Sequence, residues 1–325
     1  MTQHVNRMTQ IVGAGPRRHL LPAWPVSRNG WEPALLLHEQ VPADGDRGRP
    51  VLYVHGATFP SSLSVFFRFD GTSWADALNA AAFTVFGLDF AGYGGSERYP
   101  SMHSVAAGEG TPEGRSSVAV RQIARAMSFI TETTGASRIR IVAHSWGTIV
   151  AGRFAASHPG SVDRLVLFGG VAERIGCRQP VVRPWELVTI DQQYARFVKD
   201  VPPACDQVLL EHEFGRWAET YLSSDPESRR RTPPAVAIPS GPAFDIAASW
   251  SGCFPYDPSG ITAPVLLVRG EWDGSSTAED AAWLRGRLSS ASFVDDAVVP
   301  RGTHLMHLET GRTVLYAITN AFLAS

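Results

Sequence analysis

Short unbroken apolar runs recur along the chain, each closed by a glycine, a polar turn or a stretch of different periodicity. Residues 51–55 (VLYVH), 83–90 (FTVFGLDF), 139–143 (IRIVA), 162–168 (VDRLVLF) and 264–270 (PVLLVRG) are such runs. Runs of this length without alternation predict strands buried on both faces. Residues 31–40 (WEPALLLHEQ) and a stretch near 297–299 read as further strands. Helical spacing fills the gaps. It covers residues 74–82, 147–157, 278–288 and 312–324, and it is clearest over 117–134. There Val120, Ile123, Ala124, Met127 and Ile130 share a face, and Gly135 supplies the stop. Strands alternating with helices at this spacing predict an α/β fold, with a mostly parallel central sheet and helices on both faces.

The rhythm fails between residues 174 and 258, where no buried strand is evident. This stretch is rich in aromatics (Trp185, Tyr194, Phe197, Phe214, Trp217, Tyr221 among them), and residues 186–201 and 205–222 read as helices between proline-rich pieces. It is expected to be a helical lid inserted over the C-terminal edge of the sheet. The expected organisation is a leader at 1–30, a core formed by 31–173 and 259–325, and a lid at 174–258.

Composition narrows the function classes. The chain has 325 residues, 29 basic and 31 acidic side chains, and a formal net charge of −2. Arg229, Arg230 and Arg231 form the densest basic run, too small a patch to suggest nucleic acid. Three widely spaced cysteines, Cys177, Cys205 and Cys253, fit neither a disulfide framework nor a zinc site. The first 25 residues contain no apolar run of signal-peptide type, and no stretch approaches the length needed to span a bilayer. A soluble cytoplasmic protein is expected, monomeric or homodimeric, without nucleic-acid or membrane partners.

The candidate chemistry centres on Ala143-His144-Ser145-Trp146-Gly147, placed where a buried strand meets a helix. A strand-to-helix turn this sharp needs small residues two before and two after the serine, and it lifts the hydroxyl above the sheet. A serine hydroxyl needs a base to become a nucleophile, and the base needs an orienting acid. Asp273 closes a later strand in Gly270-Glu271-Trp272-Asp273, and His304 follows another in Gly302-Thr303-His304. Glu173 competes with Asp273 as the acid, and His307 competes with His304 as the base. Asp89 reads as a turn-bracing carboxylate, His55 as a residue that orders its loop, and His307 as a hydrogen-bonded core histidine.

The chain resembles the α/β-hydrolase superfamily from about residue 31 to its end. His55-Gly56 resembles the family's HG element, 89–96 (DFAGYGGS) its D-x-x-G-x-G-x-S turn, and 302–309 (GTHLMHLE) its G-x-H-x-x-H-L-E ending. Ala143 stands where that family usually has glycine. The resemblance implies Ser145 as nucleophile, His304 as general base and Asp273 as orienting acid. It also implies an oxyanion hole built from the backbone N–H groups of Trp146 and Ala57, with Thr58 the alternative to Ala57. Thr58, His144 and Trp272 are expected to contact substrate. The serine excludes the aspartate-based covalent route of relatives that open epoxides, and the HGGPG loop of proline-releasing peptidases is missing. The expected activity is hydrolysis of a small-to-medium apolar carboxylic ester through an acyl-enzyme, with no cofactor. The alternatives are a lactone, amide or carbon–carbon bond hydrolase with the same triad, or a non-catalytic receptor using the same pocket.

Overall fold

The computed structural model describes residues 15–27, 30–104, 106–176 and 181–325. The apolar runs become strands of one eight-stranded sheet. In chain order its strands are β1 (Arg17–Leu21), β4 (Leu35–Gln40), β5 (Pro50–Val54), β6 (Thr84–Asp89), β7 (Ile139–His144), β8 (Val162–Phe168), β11 (Val265–Gly270) and β12 (Val294–Val299). Their spatial order is β1-β4-β6-β5-β7-β8-β11-β12. The strands from β6 to β12 run parallel, and β4 and β1 add antiparallel at one edge. Two short strands, β2 (Trp24–Ser27) and β3 (Gly30–Glu32), pair separately.

The crossover helices are α1 (Trp74–Ala80), α2 (Ser116–Thr134), α3 (Trp146–Ser157) and α7 (Ala278–Arg287), and α8 (Arg312–Ala324) follows the last strand. Along β5, Leu52 and Val54 pack into one apolar cluster with α2 and α3, while Val51 and Tyr53 pack into a second with α1 and α8. Successive side chains of a strand point to opposite faces. A strand between two helical layers is therefore apolar at every position, as the unbroken runs anticipate.

The stretch read as a leader takes part in the sheet: β1 pairs with β4 across five residues, so 17–21 belong with the core strands. Its burial is slight, four of five residues being intermediate or exposed, so hydrophobic pattern alone does not announce it.

The segment between β8 and β11 holds α4 (Ile190–Val198), α5 (Glu211–Ser223) and α6 (Gly241–Ser249), but also two strands. β9 (Trp185–Thr189) and β10 (Ala235–Pro239) form an antiparallel pair, and β10 is buried throughout. The expected helix over 186–201 therefore starts later, at Ile190. Thr189 marks the break: its hydroxyl accepts the Gln192 N–H and the Gln192 side chain returns the bond, a capping box. Cys205 and Cys253 are free and exposed, and Cys177 lies outside the described residues. Among the described residues no helix is long and apolar enough to cross a membrane, and no group of side chains is arranged to hold a metal ion.

Candidate active site

The C-terminal ends of β7, β11 and β12 converge on one point. Ser145 follows β7 with φ 53° and ψ −126°, an unfavourable conformation for a residue with a Cβ. Neighbouring groups hold it there. Its N–H donates to the Phe168 carbonyl at 3.0 Å, and its carbonyl accepts from the Thr148 N–H at 2.9 Å and the Thr148 hydroxyl at 2.6 Å. Gly147 is required by the same turn, since a Cβ there would sit 2.5 Å from the His55 carbonyl oxygen.

Ser145 precedes α3, yet its side chain makes no capping bond. Instead Oγ lies 2.9 Å from Nε2 of His304. The opposite ring nitrogen, Nδ1, is 3.0 Å from both carboxylate oxygens of Asp273. Asp273 is itself fixed by the N–H groups of Ser275 and Ser276, each 2.9 Å from Oδ1. The three residues expected to act together are thus in one hydrogen-bonded line. Glu173 is elsewhere, accepting the Phe254 N–H at 3.3 Å.

A hydrogen-bonded core histidine was expected at 307. His307 is buried, but neither ring nitrogen has a hydrogen-bond partner among the described residues. It packs among Phe59, His144 and Phe168, and burial lowers its pKa to about 3. His144 is also buried; its Nε2 donates to the His304 carbonyl at 3.0 Å and its ring stacks on Phe168. Burial, with His307 and His304 nearby, lowers its pKa well below the usual imidazole range. Both rings stay neutral behind His304.

The two peptides expected to supply oxyanion donors adjoin the serine, Trp146 as its successor in the chain and Ala57 as a neighbour lining the same cavity. Trp146 is the first residue of α3, so its N–H has no acceptor within the helix. The Gly56–Ala57 peptide is oriented by His55, whose Nδ1 lies 2.7 Å from the Gly56 carbonyl. His55 Nε2 accepts the Phe90 N–H at 3.1 Å, so the ring proton must sit on Nδ1 and donate to Gly56. A carbonyl held from one side aims the N–H of the same planar peptide, that of Ala57, to the other. The next peptide is held as well, by the Tyr93 hydroxyl donating to the Ala57 carbonyl at 2.6 Å. Asp89 braces this region by accepting from the Ser61 N–H and hydroxyl at 3.0 and 2.6 Å.

A cavity of about 290 Å³ opens beside Ser145 and His304. Thr58 and His144, two of the three residues expected to contact substrate, line it together with Gly56 and Ala57. Trp272 does not. Its N–H is bound to the Gly302 carbonyl and its ring lies under the Arg301 guanidinium, so the strand-end turn carries it away from the cavity. The remaining wall comes largely from the segment between β8 and β11, including Arg196, Lys199, Ile246 and Trp250. Asp245 of α6 was not anticipated either. Its Oδ2 accepts from Trp146 Nε1 at 3.0 Å and from the Ser116 N–H at 2.6 Å. Contacts between positions a hundred residues apart leave no mark on local pattern, so no sequence signal pointed to Asp245.

A family model described as alpha/beta hydrolase fold matches residues 49–242. No curated protein matches the chain. Solved structures do. A carboxylesterase from the thaumarchaeon Nitrososphaera gargenis is 15% identical, with a TM-score of 0.60 over 93% of this chain and 98% of that one. A meta-cleavage product hydrolase from Pseudomonas fluorescens IP01 is 16% identical, with a TM-score of 0.60 over 89% and 94%. An epoxide hydrolase from Vigna radiata is 14% identical, with a TM-score of 0.56 over 95% and 98%. Likeness at these identities carries the fold and leaves the bond that is cleaved to the site.

Proposed function

The chain belongs to the α/β-hydrolase family, and within it we propose a serine hydrolase that cleaves a small-to-medium apolar carboxylic ester. The observation that carries the proposal is the unbroken line from Ser145 Oγ through His304 to Asp273. In this reading His304 takes the Ser145 proton as Oγ attacks the ester carbonyl, and Asp273 stabilises the imidazolium. The oxyanion is met by the N–H groups of Trp146 and Ala57. The carbon–oxygen bond to the leaving alcohol then breaks, and His304 returns its proton to that alcohol. A water attacks the acyl-serine by the same route and releases the acid, so one water is consumed and Ser145 is regenerated.

Two further observations narrow the reading, one against epoxide opening and one toward an apolar substrate. The elbow residue is serine, which forms an acyl-enzyme and cannot deliver the carboxylate nucleophile used on epoxides. The cavity wall is mostly apolar, with Phe59, Val171, Ile246, Trp250 and Leu305 around the serine. We read the segment between β8 and β11 as a lid, because it supplies much of that wall.

The test is hydrolysis of p-nitrophenyl esters from acetyl to decanoyl by wild type and Ser145→Ala. Turnover is expected to fall by about 10³-fold or more in the variant. A serine-directed phosphonate should label the wild type at one site and abolish activity. Undiminished turnover after either treatment would refute the mechanism, and absence of turnover in both proteins would favour a binding role for the pocket.

A further inference from the structure

The cavity beside Ser145 has an asymmetry of charge that an apolar ester leaves unused. Among the described residues no aspartate or glutamate lines it, yet two cations do, Arg196 and Lys199. They lie three residues apart at the end of α4, so they share one side of the helix, while Gln193 and Phe197 are its buried positions. Both cations are exposed as well as lining the cavity, which places them at its opening.

Lys199 is anchored: its Nζ donates to the Ser275 hydroxyl at 3.2 Å, and the nearest carboxylate, that of Asp200, is 3.9 Å away. Ser275 in turn donates its N–H to Asp273. The ammonium is thereby held next to the loop that carries the acid. Arg196 has no carboxylate partner among the described residues, although most of the described arginines between β8 and β11 do. An unpaired guanidinium and a hydrogen-bonded ammonium at the edge of a mostly apolar pocket match a carboxylate in charge and in the donors they offer.

We propose that Arg196 and Lys199 form an anion subsite, and that the substrate is an ester with an apolar body and a carboxylate on one of its two halves, remote from the scissile bond. The inference rests on the hydrolase reading for the position of the scissile carbonyl. It adds the chemical class of what is bound. Cations near a helix C-terminus also complement its dipole, but that role alone would leave the enzyme indifferent to charge on the substrate.

Two matched pairs test the subsite. The first is mono-p-nitrophenyl glutarate against the neutral ester with an isopropyl group in place of the carboxylate. The second is p-carboxyphenyl butyrate against p-tolyl butyrate, which moves the charge to the leaving half. Wild type is expected to show kcat/KM about ten- to a hundredfold higher for the charged member of one pair. This ratio should shrink at high salt, since the cations are exposed. It should fall to near one in Arg196→Gln/Lys199→Gln and invert in Arg196→Glu. Equal rates in both pairs, or a ratio unmoved by the Arg196 variants, would overturn the subsite while leaving neutral-ester hydrolysis as evidence for the triad. Binding of the same pairs to Ser145→Ala by calorimetry separates the two readings. Tighter binding of the anion supports the subsite whatever the turnover, and equal binding overturns it.

Discussion

Ser145 carries two demands that conflict. The hydroxyl must stand clear of the sheet, and the backbone that lifts it there adopts φ 53°, which a residue with a Cβ tolerates poorly. Strain of this kind costs on the order of 1–3 kcal/mol, while glycine accepts positive φ at an entropic cost of roughly 0.5–1 kcal/mol. Ser145→Gly should therefore be more stable than Ser145→Ala by about 1 kcal/mol, although both lack the nucleophile. Urea midpoints of the two variants measure this directly, and a lower midpoint for the glycine variant would show that the elbow is unstrained. At this scale the sequence was most informative. Ser145, Asp273 and His304 each sit just beyond a run of apolar residues, so their shared sheet edge follows from knowing where the strands end. Trp272 lies beside Asp273 in the same turn, but its side-chain direction depends on the turn's geometry and on Arg301, neither of which a local pattern encodes.

Between elements, the decisive contacts join segments that are far apart in the chain. α2 begins at Ser116 without a capping side chain from its own N-cap residue, Arg115. The acceptor comes instead from Asp245 of α6, which also holds the indole N–H of Trp146. One buried carboxylate thus fixes the start of α2 and the first residue of α3 together. Asp245→Ala would leave two buried donors unpaired, each costing about 1–3 kcal/mol. A loss of roughly 3 kcal/mol in unfolding free energy is expected, with partial recovery in Asp245→Asn, which keeps one acceptor. The loss should be accompanied by slower ester turnover, since Trp146 follows the nucleophile; a stable and fully active alanine variant would contradict this role. The strands of the main sheet were legible in proportion to their burial. Core strands with both faces covered read directly from their apolar runs. β1 is a poorly covered edge strand, and β9 is a five-residue strand that runs straight into α4, so both lacked the unbroken apolar signature. β10 is buried throughout, but its partner is β9 rather than the main sheet.

The whole molecule buries several ionisable groups, and their balance sets how stability follows pH. Burial lowers His55 to about 4 and His307 to about 3, and it lowers His144 well below its usual range. In the unfolded chain each titrates near 6.5. Between about pH 4 and 6.5 the unfolded state therefore binds protons that the native state refuses, and stability rises with pH. These three contributions are complete above that window and are lost as the pH falls through it. Glu309 acts in the opposite sense. Its carboxyl accepts from the N–H and hydroxyl of Thr303, but burial dominates and raises its pKa to about 7, against 4.5 in the unfolded chain. The native state then holds the extra proton, and stability falls as pH rises from 4.5 to 7. Burial also raises the carboxyls of the less deeply buried Glu113 and Asp200, in the same sense as Glu309. Each group changes the slope by at most about 1.4 kcal/mol per pH unit, and the three fully buried histidines, with the larger shifts, outweigh these carboxyls. Urea midpoints should drop steadily from pH 6.5 to 4.5. Glu309→Gln should steepen that drop by removing an opposing group, and should stabilise the protein above pH 7. His307→Leu should make the drop shallower, because an apolar side chain fits among Phe59, His144 and Phe168 without a protonation cost. A midpoint that stays level across this range in the wild type would mean that these histidines find proton acceptors on acidification, and that the interior behind His304 is less dry than its packing indicates.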